Sequence, residues 1–246
     1  MESGNESEQM SFNAYIDGFN LYKGALEARP DFKWLDLIGM CKDLMPTYEL
    51  RNVYYFTAPL KDRFAGDKAN ERQNTYLRVL RHSGVHVVNG TFRTDFSWQR
   101  LASKDRKETI QPHLPPRFGL TQTAINHSWK EAEPDAPKAR IVSMKEKGSD
   151  VNIASYLLRD AYTSDIAGAL VVTGDSDLST AITFARSTGL MVKIGFPNRN
   201  RISKDLRSKA SASETIHSKI LRENQFPDTY ISTSGRQIVK PFEWRH

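Results

Sequence analysis

The stretch Ala169-Leu-Val-Val-Thr-Gly-Asp-Ser-Asp-Leu178 constrains the fold more than any other. Ala169 to Thr173 are apolar or β-branched without a polar break, which predicts a short strand buried on both faces. Gly174 ends it, and Asp175 and Asp177 follow around Ser176. Leu178, Ala181, Ile182 and Ala185 then recur at helical spacing. Two acids therefore stand where a buried strand gives way to a helix. In parallel α/β sheets, ligands bind beyond the carboxyl ends of the strands. An Asp-x-Asp there suits a hard divalent cation, which prefers carboxylate oxygen. The same residues also serve as a turn (Asp175) and a helix cap (Asp177), and at this point both readings stand.

The pattern repeats upstream. Ser11 to Asp17 predicts a first strand ending in a carboxylate, followed by Gly18-Phe19-Asn20 and a helical Leu21, Tyr22, Ala25, Leu26. Asn20 fits the N-cap of that helix. Further elements are a helix around Trp34 to Leu44, a strand Arg51 to Thr57, a helix Asp67 to His82 closed by Gly84, and a strand Val85 to Asn89. His86 reads as a packed strand residue. From Arg93 to Lys138 the periodicity fails among five prolines, which predicts an insertion. Its Arg93, Trp98, Arg100, Lys104, Arg106 and Lys107 could meet nucleic acid by charge and stacking.

Ala139 to Met144 then predicts a strand, and Val151 to Ala161 a helix with Asp150 at its start. Counting from Ile153 and Leu157 places Asp150 on the inward side, with Ser149 free to cap. Leu190 to Phe196 predicts another buried strand, Ile202 to Ala212 a basic helix, and Glu214 to Leu221 either a helix or a strand. The segment after Pro227 reads as a surface or disordered tail. Alternating strands and helices predict an α/β fold with a mainly parallel central sheet.

Between Lys193 and Arg222 stand eight Lys and Arg against Asp205 and Glu214, an excess equal to the net charge of the whole chain, +6. A basic surface attracts polyanions, nucleic acid first, although it can also be a solubilising face. Lys147, Arg199, Arg201, Ser203, Lys204 and Arg207 are the candidate RNA-binding residues. The polar start of the chain is not a secretory signal, no apolar run spans a membrane, and Cys41 alone excludes a disulfide framework. These features fit a cytoplasmic protein.

Asp17, Asp150, Asp175 and Asp177 would converge at the carboxyl edge of such a sheet. Clustered carboxylates raise one another's pKa unless a cation neutralises them. An all-oxygen set favours Mg²⁺ or Mn²⁺ over zinc.

Three segments, Ile16-Asp-Gly-Phe-Asn20, Lys145-Glu-Lys-Gly-Ser-Asp-Val151 and Val172-Thr-Gly-Asp-Ser-Asp-Leu178, resemble in order the acidic motifs of NYN-domain proteins, a PIN-like group also called LabA-like. The resemblance spans roughly residues 12 to 216. It implies a PIN-like three-layer α/β/α sandwich and Mg²⁺- or Mn²⁺-dependent ribonuclease action. It implies metal-binding positions at Asp17, Asp150, Asp175 and Asp177, with Asn20 orienting an acid or a phosphate. The expected division is a tail over 1–11, the domain over 12–223 with its insertion near 93–138, and a tail over 224–246. RNA is the expected partner, and a homodimer is compatible with such a chain. Two alternatives stay open: a non-catalytic RNA-binding module on the same fold, and a DNA-directed or 5′-nuclease-like phosphodiesterase.

Overall fold

The computed structural model describes residues 10–60, 67–100, 138–198, 200 and 202–245. Six strands form one parallel sheet: β1 (Ser11–Asp17), β2 (Glu49–Thr57), β3 (His86–Asn89), β6 (Gly168–Val172), β7 (Met191–Phe196) and β8 (Ala212–Thr215). Their order is β3-β2-β1-β6-β7-β8. Every residue of β1 and β6 is buried, because these central strands are covered on both faces. The edge strands β3 and β8 are partly exposed.

Alternation along β1 divides the core. Phe12, Ala14 and Ile16 face one apolar layer. It is completed by Leu21, by α2 (Leu37–Leu44), α3 (Ala69–His82) and by Leu221 of α7 (Ser218–Glu223). Tyr15 faces the other. That layer holds Ile153 and Leu157 of α4 (Ser149–Thr163), Ile182 of α5 (Ser179–Ser187) and Leu206 of α6 (Lys204–Lys209). The first helix, α1 (Gly18–Leu21), runs directly into a π-helical turn, Tyr22–Leu26. The result is an α/β/α sandwich, as the strand–helix alternation predicts.

From β1 the chain winds outward through β2 and β3; from β6 it winds the other way through β7 and β8. The gap beyond the ends of β1 and β6 is therefore the topological switch point, where open α/β sheets bind ligands.

Two expectations change. Residues after Pro227 are built into the fold: β9 (Thr229–Ile231) pairs with β10 (Gln237–Val239), and Ile238 and Phe226 are buried. Trp34 explains this, since its Nε1 donates to the Pro227 carbonyl at 3.0 Å and its ring lies 6.1 Å from that of Trp244. Likewise, the stretch from Arg93 opens as a strand, β4 (Thr91–Arg100), paired with β5 (Lys138–Lys147) in a separate two-stranded sheet. Arg93–Lys145 is a compact unit of its own. Lys104, Arg106 and Lys107 lie outside the described residues. Glu214 to Leu221 contains the end of β8 and the start of α7, so both readings of that stretch hold in part.

Candidate functional site

Asp17 ends β1 and is almost wholly buried. Its Oδ1 accepts from the Asn20 backbone N–H at 2.9 Å, capping α1, and its Oδ2 accepts from Asn20 Nδ2 at 2.7 Å. Asn20 thus donates to this carboxylate from both its backbone and its side chain, and Asp17 rather than Asn20 is the N-cap. Thr173 Oγ1 donates to Asp17 Oδ2 at 3.2 Å and accepts from the Asp175 N–H at 3.1 Å. This fully buried hydroxyl joins the end of β1 to the loop after β6, whereas strand patterning alone presents it as one more strand residue. The available signal is a hydroxyl placed just before a glycine and the acid pair.

Asp175 is half-buried, and its Oδ1 accepts the Asp177 N–H at 3.0 Å. It caps the 3₁₀ turn Ser176–Leu178, whereas Asp177 lies inside that turn and is exposed. The cap and the acid motif are therefore one residue serving both ends.

Asp150 is exposed, against the inward placement expected from spacing. The inward stripe of α4 is Ser149, Ile153, Leu157 and Asp160. It is phased from Ser149, so Asp150 is turned about 100° away. Gly148, at φ +91°, is the residue before the helix, and no side chain caps it. Gly90 fixes that start: a Cβ there would come within 2.9 Å of the Lys147 carbonyl and Ser149 Oγ.

Burial raises the Asp17 carboxyl above its ordinary pKa, against its hydrogen bonds to Asn20 and Thr173, and the Asp175 charge adds to the rise. Lost hydration raises Asp150 too, followed by the charges of Asp17, Asp175 and Asp177. Asp150 is still exposed, so water screens part of that repulsion. Asp150 thus feels the other three acids and Asp17 feels Asp175, and none of the four joins an ion pair among the described residues. In donor chemistry they fit a hard divalent cation. As the side chains lie, no three acidic, His or Cys groups among the described residues stand close enough to hold one.

The basic residues divide. Lys193 is taken up by Glu214 at 2.7 Å and the Leu44 carbonyl at 2.6 Å. Lys204, Arg207 and Lys209 are exposed on α6, in one helical layer; Lys219 and Arg222 are exposed on α7, in the other. The single basic patch read from the sequence is therefore two, because β8 intervenes. Ser203 caps α6, accepting the Leu206 N–H at 3.3 Å. Ser179 Oγ at the start of α5 donates to Asp205 on α6, which sets the start of α6 beside the Asp175–Asp177 turn. Lys147 is exposed two residues before α4; Arg199 and Arg201 lie outside the described residues. His86, expected to be packed, is exposed, with its ring 5.3 Å from Tyr54. Among the described residues no helix is long and apolar enough to cross a membrane.

Comparison with known proteins adds three findings. The chain is 25% identical over 264 residues to 6-hydroxy-3-succinoylpyridine 3-monooxygenase HspA of Pseudomonas putida (strain DSM 28022 / S16), covering 97% of this chain and 77% of that protein. A crystal structure of a protein of unknown function, VPA0982 from Vibrio parahaemolyticus RIMD 2210633, superposes with a TM-score of 0.47 at 14% identity, over 87% of this chain and 97% of that one. The family model of the NYN domain matches residues 121–218, which include Asp150, Asp175 and Asp177. The match spans two of the three acidic motifs that resemble this family, and Asp17 and Asn20 of the first lie outside it.

Proposed function

We propose that this chain is a metal-dependent ribonuclease whose acidic site is Asp17, Asp150, Asp175 and Asp177. The observation that carries the reading is the position of Asp17 and the Asp175–Asp177 turn at the two strand ends flanking the switch point. The NYN match points the same way, to a PIN-like nuclease family. A pure phosphate binder would gain nothing from four mutually repelling carboxylates.

Each residue has a part. Asn20 and Thr173 hold the Asp17 carboxylate in one orientation. Asp175 is held by the Asp177 N–H through one oxygen, which leaves its second oxygen directed elsewhere. Mg²⁺ or Mn²⁺ held by these acids would oppose the charge of a phosphodiester and lower the pKa of a water beside it. Lys204 and Arg207, on the helix that starts beside the acid turn, would take neighbouring phosphates, with Lys147, Arg199 and Arg201 as further candidates.

The test is cleavage of labelled single-stranded RNA, and of the same sequence as DNA, with Mn²⁺, Mg²⁺ or EDTA. Wild type should cut RNA only with metal, and Asp175→Asn should not cut. Binding without cleavage in either metal would leave the binding-module alternative, and cleavage of DNA alone would favour the phosphodiesterase alternative.

A second reading follows from the Pseudomonas relative, whose name gives hydroxylation of a pyridine ring and whose likeness runs over nearly the whole chain. Oxygen consumption with 6-hydroxy-3-succinoylpyridine and a two-electron reductant, without RNA cleavage, would replace the nuclease by this activity.

A further inference from the structure

Phe19 and Tyr22 are large aromatic residues left 48% and 38% exposed on the turn that carries Asp17 and Asn20. Each ring has a lysine over it. Lys23 Nζ stands 6.0 Å from the Phe19 centroid, and Lys33 Nζ 5.3 Å from that of Tyr22. Such a pair at an exposed site contributes less than burying either ring would. The pairs therefore do not account for the exposure.

The backbone places these rings on the same sheet edge as the acids. Tyr22–Leu26 is a π-helical turn, a rare element that often marks a functional site. A Cβ on its Gly24 would lie 2.8 Å from Pro197 Cβ and 3.3 Å from Asn198 Cβ. The turn thus reaches from the end of β1 to the loop after β7, across the end of β6 where Asp175 and Asp177 begin. Glu27 already pairs with Lys23, so a phosphate there would compete with one exposed carboxylate.

We propose that Phe19 and Tyr22 are nucleobase-stacking residues, that Lys23 and Lys33 meet the adjoining phosphates, and that the substrate class is therefore single-stranded nucleic acid. A duplex hides its base faces, so a stacking surface selects unpaired strand. The inference rests on the nuclease reading for its substrate, but its test needs no cleavage.

Binding of a labelled single-stranded RNA oligonucleotide is measured in EDTA for wild type, the double variant F19A/Y22A, and F19W/Y22F. Stacking gives ~1–3 kcal/mol per base, which corresponds to about tenfold in affinity for each ring lost. F19A/Y22A should lose that affinity, and F19W/Y22F should keep it. The added indole of F19W should be quenched by single-stranded RNA and not by heparin, a polyanion without bases. Both rings are exposed, so thermal melting of all variants should match wild type. Equal RNA affinity in F19A/Y22A would overturn the proposal; if Asp175-dependent cleavage remained, the nuclease reading would survive. A wild-type dimer that F19A/Y22A converts to monomer, with RNA affinity unchanged, would overturn it in favour of a second copy as the occupant. Loss of binding in F19A/Y22A by a wild type that cuts nothing would sustain the stacking surface and remove the nuclease.

Discussion

Helix α4 carries a carboxylate near each end, and β1 supplies a neighbour to both. At one end Asp160 is 2% exposed and fully answered. It accepts from Asn13 Nδ2 at 2.9 Å, Tyr15 Oη at 2.7 Å and Arg159 Nε at 2.7 Å. Burial first, then the bond to Asp160, pushes the Tyr15 phenol well up, so it stays a donor. Arg159 also lies over Tyr156, 4.5 Å from its centroid. At the other end Asp150 feels the charges of Asp17, Asp175 and Asp177 and joins no ion pair among the described residues. The row Asn13, Tyr15, Asp17 on one face of β1 runs antiparallel to α4, so one strand closes the first site and opens the second. A closed acid stabilises the fold; an open one has repulsion to give up to a cation.

The largest effect should therefore come from the acid outside the candidate site. Asp160→Ala leaves two buried donors and an arginine without their acceptor. Removing one partner of a buried pair costs about 3–5 kcal/mol, and since Arg159 is half exposed the lower figure applies. For a chain of this size that is a fall in Tm of roughly 10 °C. A loss under about 1 kcal/mol in urea unfolding would erase the contrast between the two ends.

Asp175→Asn should do the reverse. Asparagine keeps an Oδ1 to accept the Asp177 N–H, so stability should stay within about 1 kcal/mol. RNA cleavage should fall by about a hundredfold or more, at or beyond the loss seen when a metal ligand's supporting contact is removed. Unfolding in step with lost activity would make Asp175 a structural cap.

The two ends were unequally legible in the sequence. Asp17, Asp175 and Asp177 showed themselves because each follows a buried apolar strand. Asp160 did not, since an acid in a helix reads as surface; its place on the stripe of Ile153 and Leu157 was the missed signal. Asp150 was misplaced because that stripe begins one residue earlier, at Ser149. The strand–helix order gave the α/β sandwich, but the switch point needs strand order, which depends on pairing between distant segments. The same blindness to distance merged α6 and α7 into one basic patch and left Phe226 and Trp244 in a tail, although Trp34 anchors both.

The divided charge gives a smaller, directional effect. Lys204→Glu with Arg207→Glu, on the helix beside the acid turn, should weaken RNA binding and flatten its logarithmic salt slope by about 1.4, for two phosphates of a single strand. Lys219→Glu with Arg222→Glu, in the opposite layer, should leave the slope unchanged. Equal losses from both pairs would restore one continuous basic surface.

The smallest effect isolates the repulsion itself. Asp150 stands in the first turn of α4, where the helix dipole favours a negative charge by about 0.3–1 kcal/mol. Its carboxyl is nonetheless raised, so lost hydration and the charges of the three other acids outweigh the dipole. The sign follows from linkage: between the ordinary value of 3.8 and the raised one, the folded state binds more protons than the unfolded. Stability is therefore lost as pH rises through that window. Asp150→Asn should match wild type near pH 3, where both side chains are neutral, and exceed it at pH 7. Because Asp150 is exposed and screened, the gain should be only about 1–2 °C in Tm. A variant less stable than wild type at pH 7 would mean that the dipole dominates, and the two ends of α4 would then differ in burial but not in the sign of their charge energy.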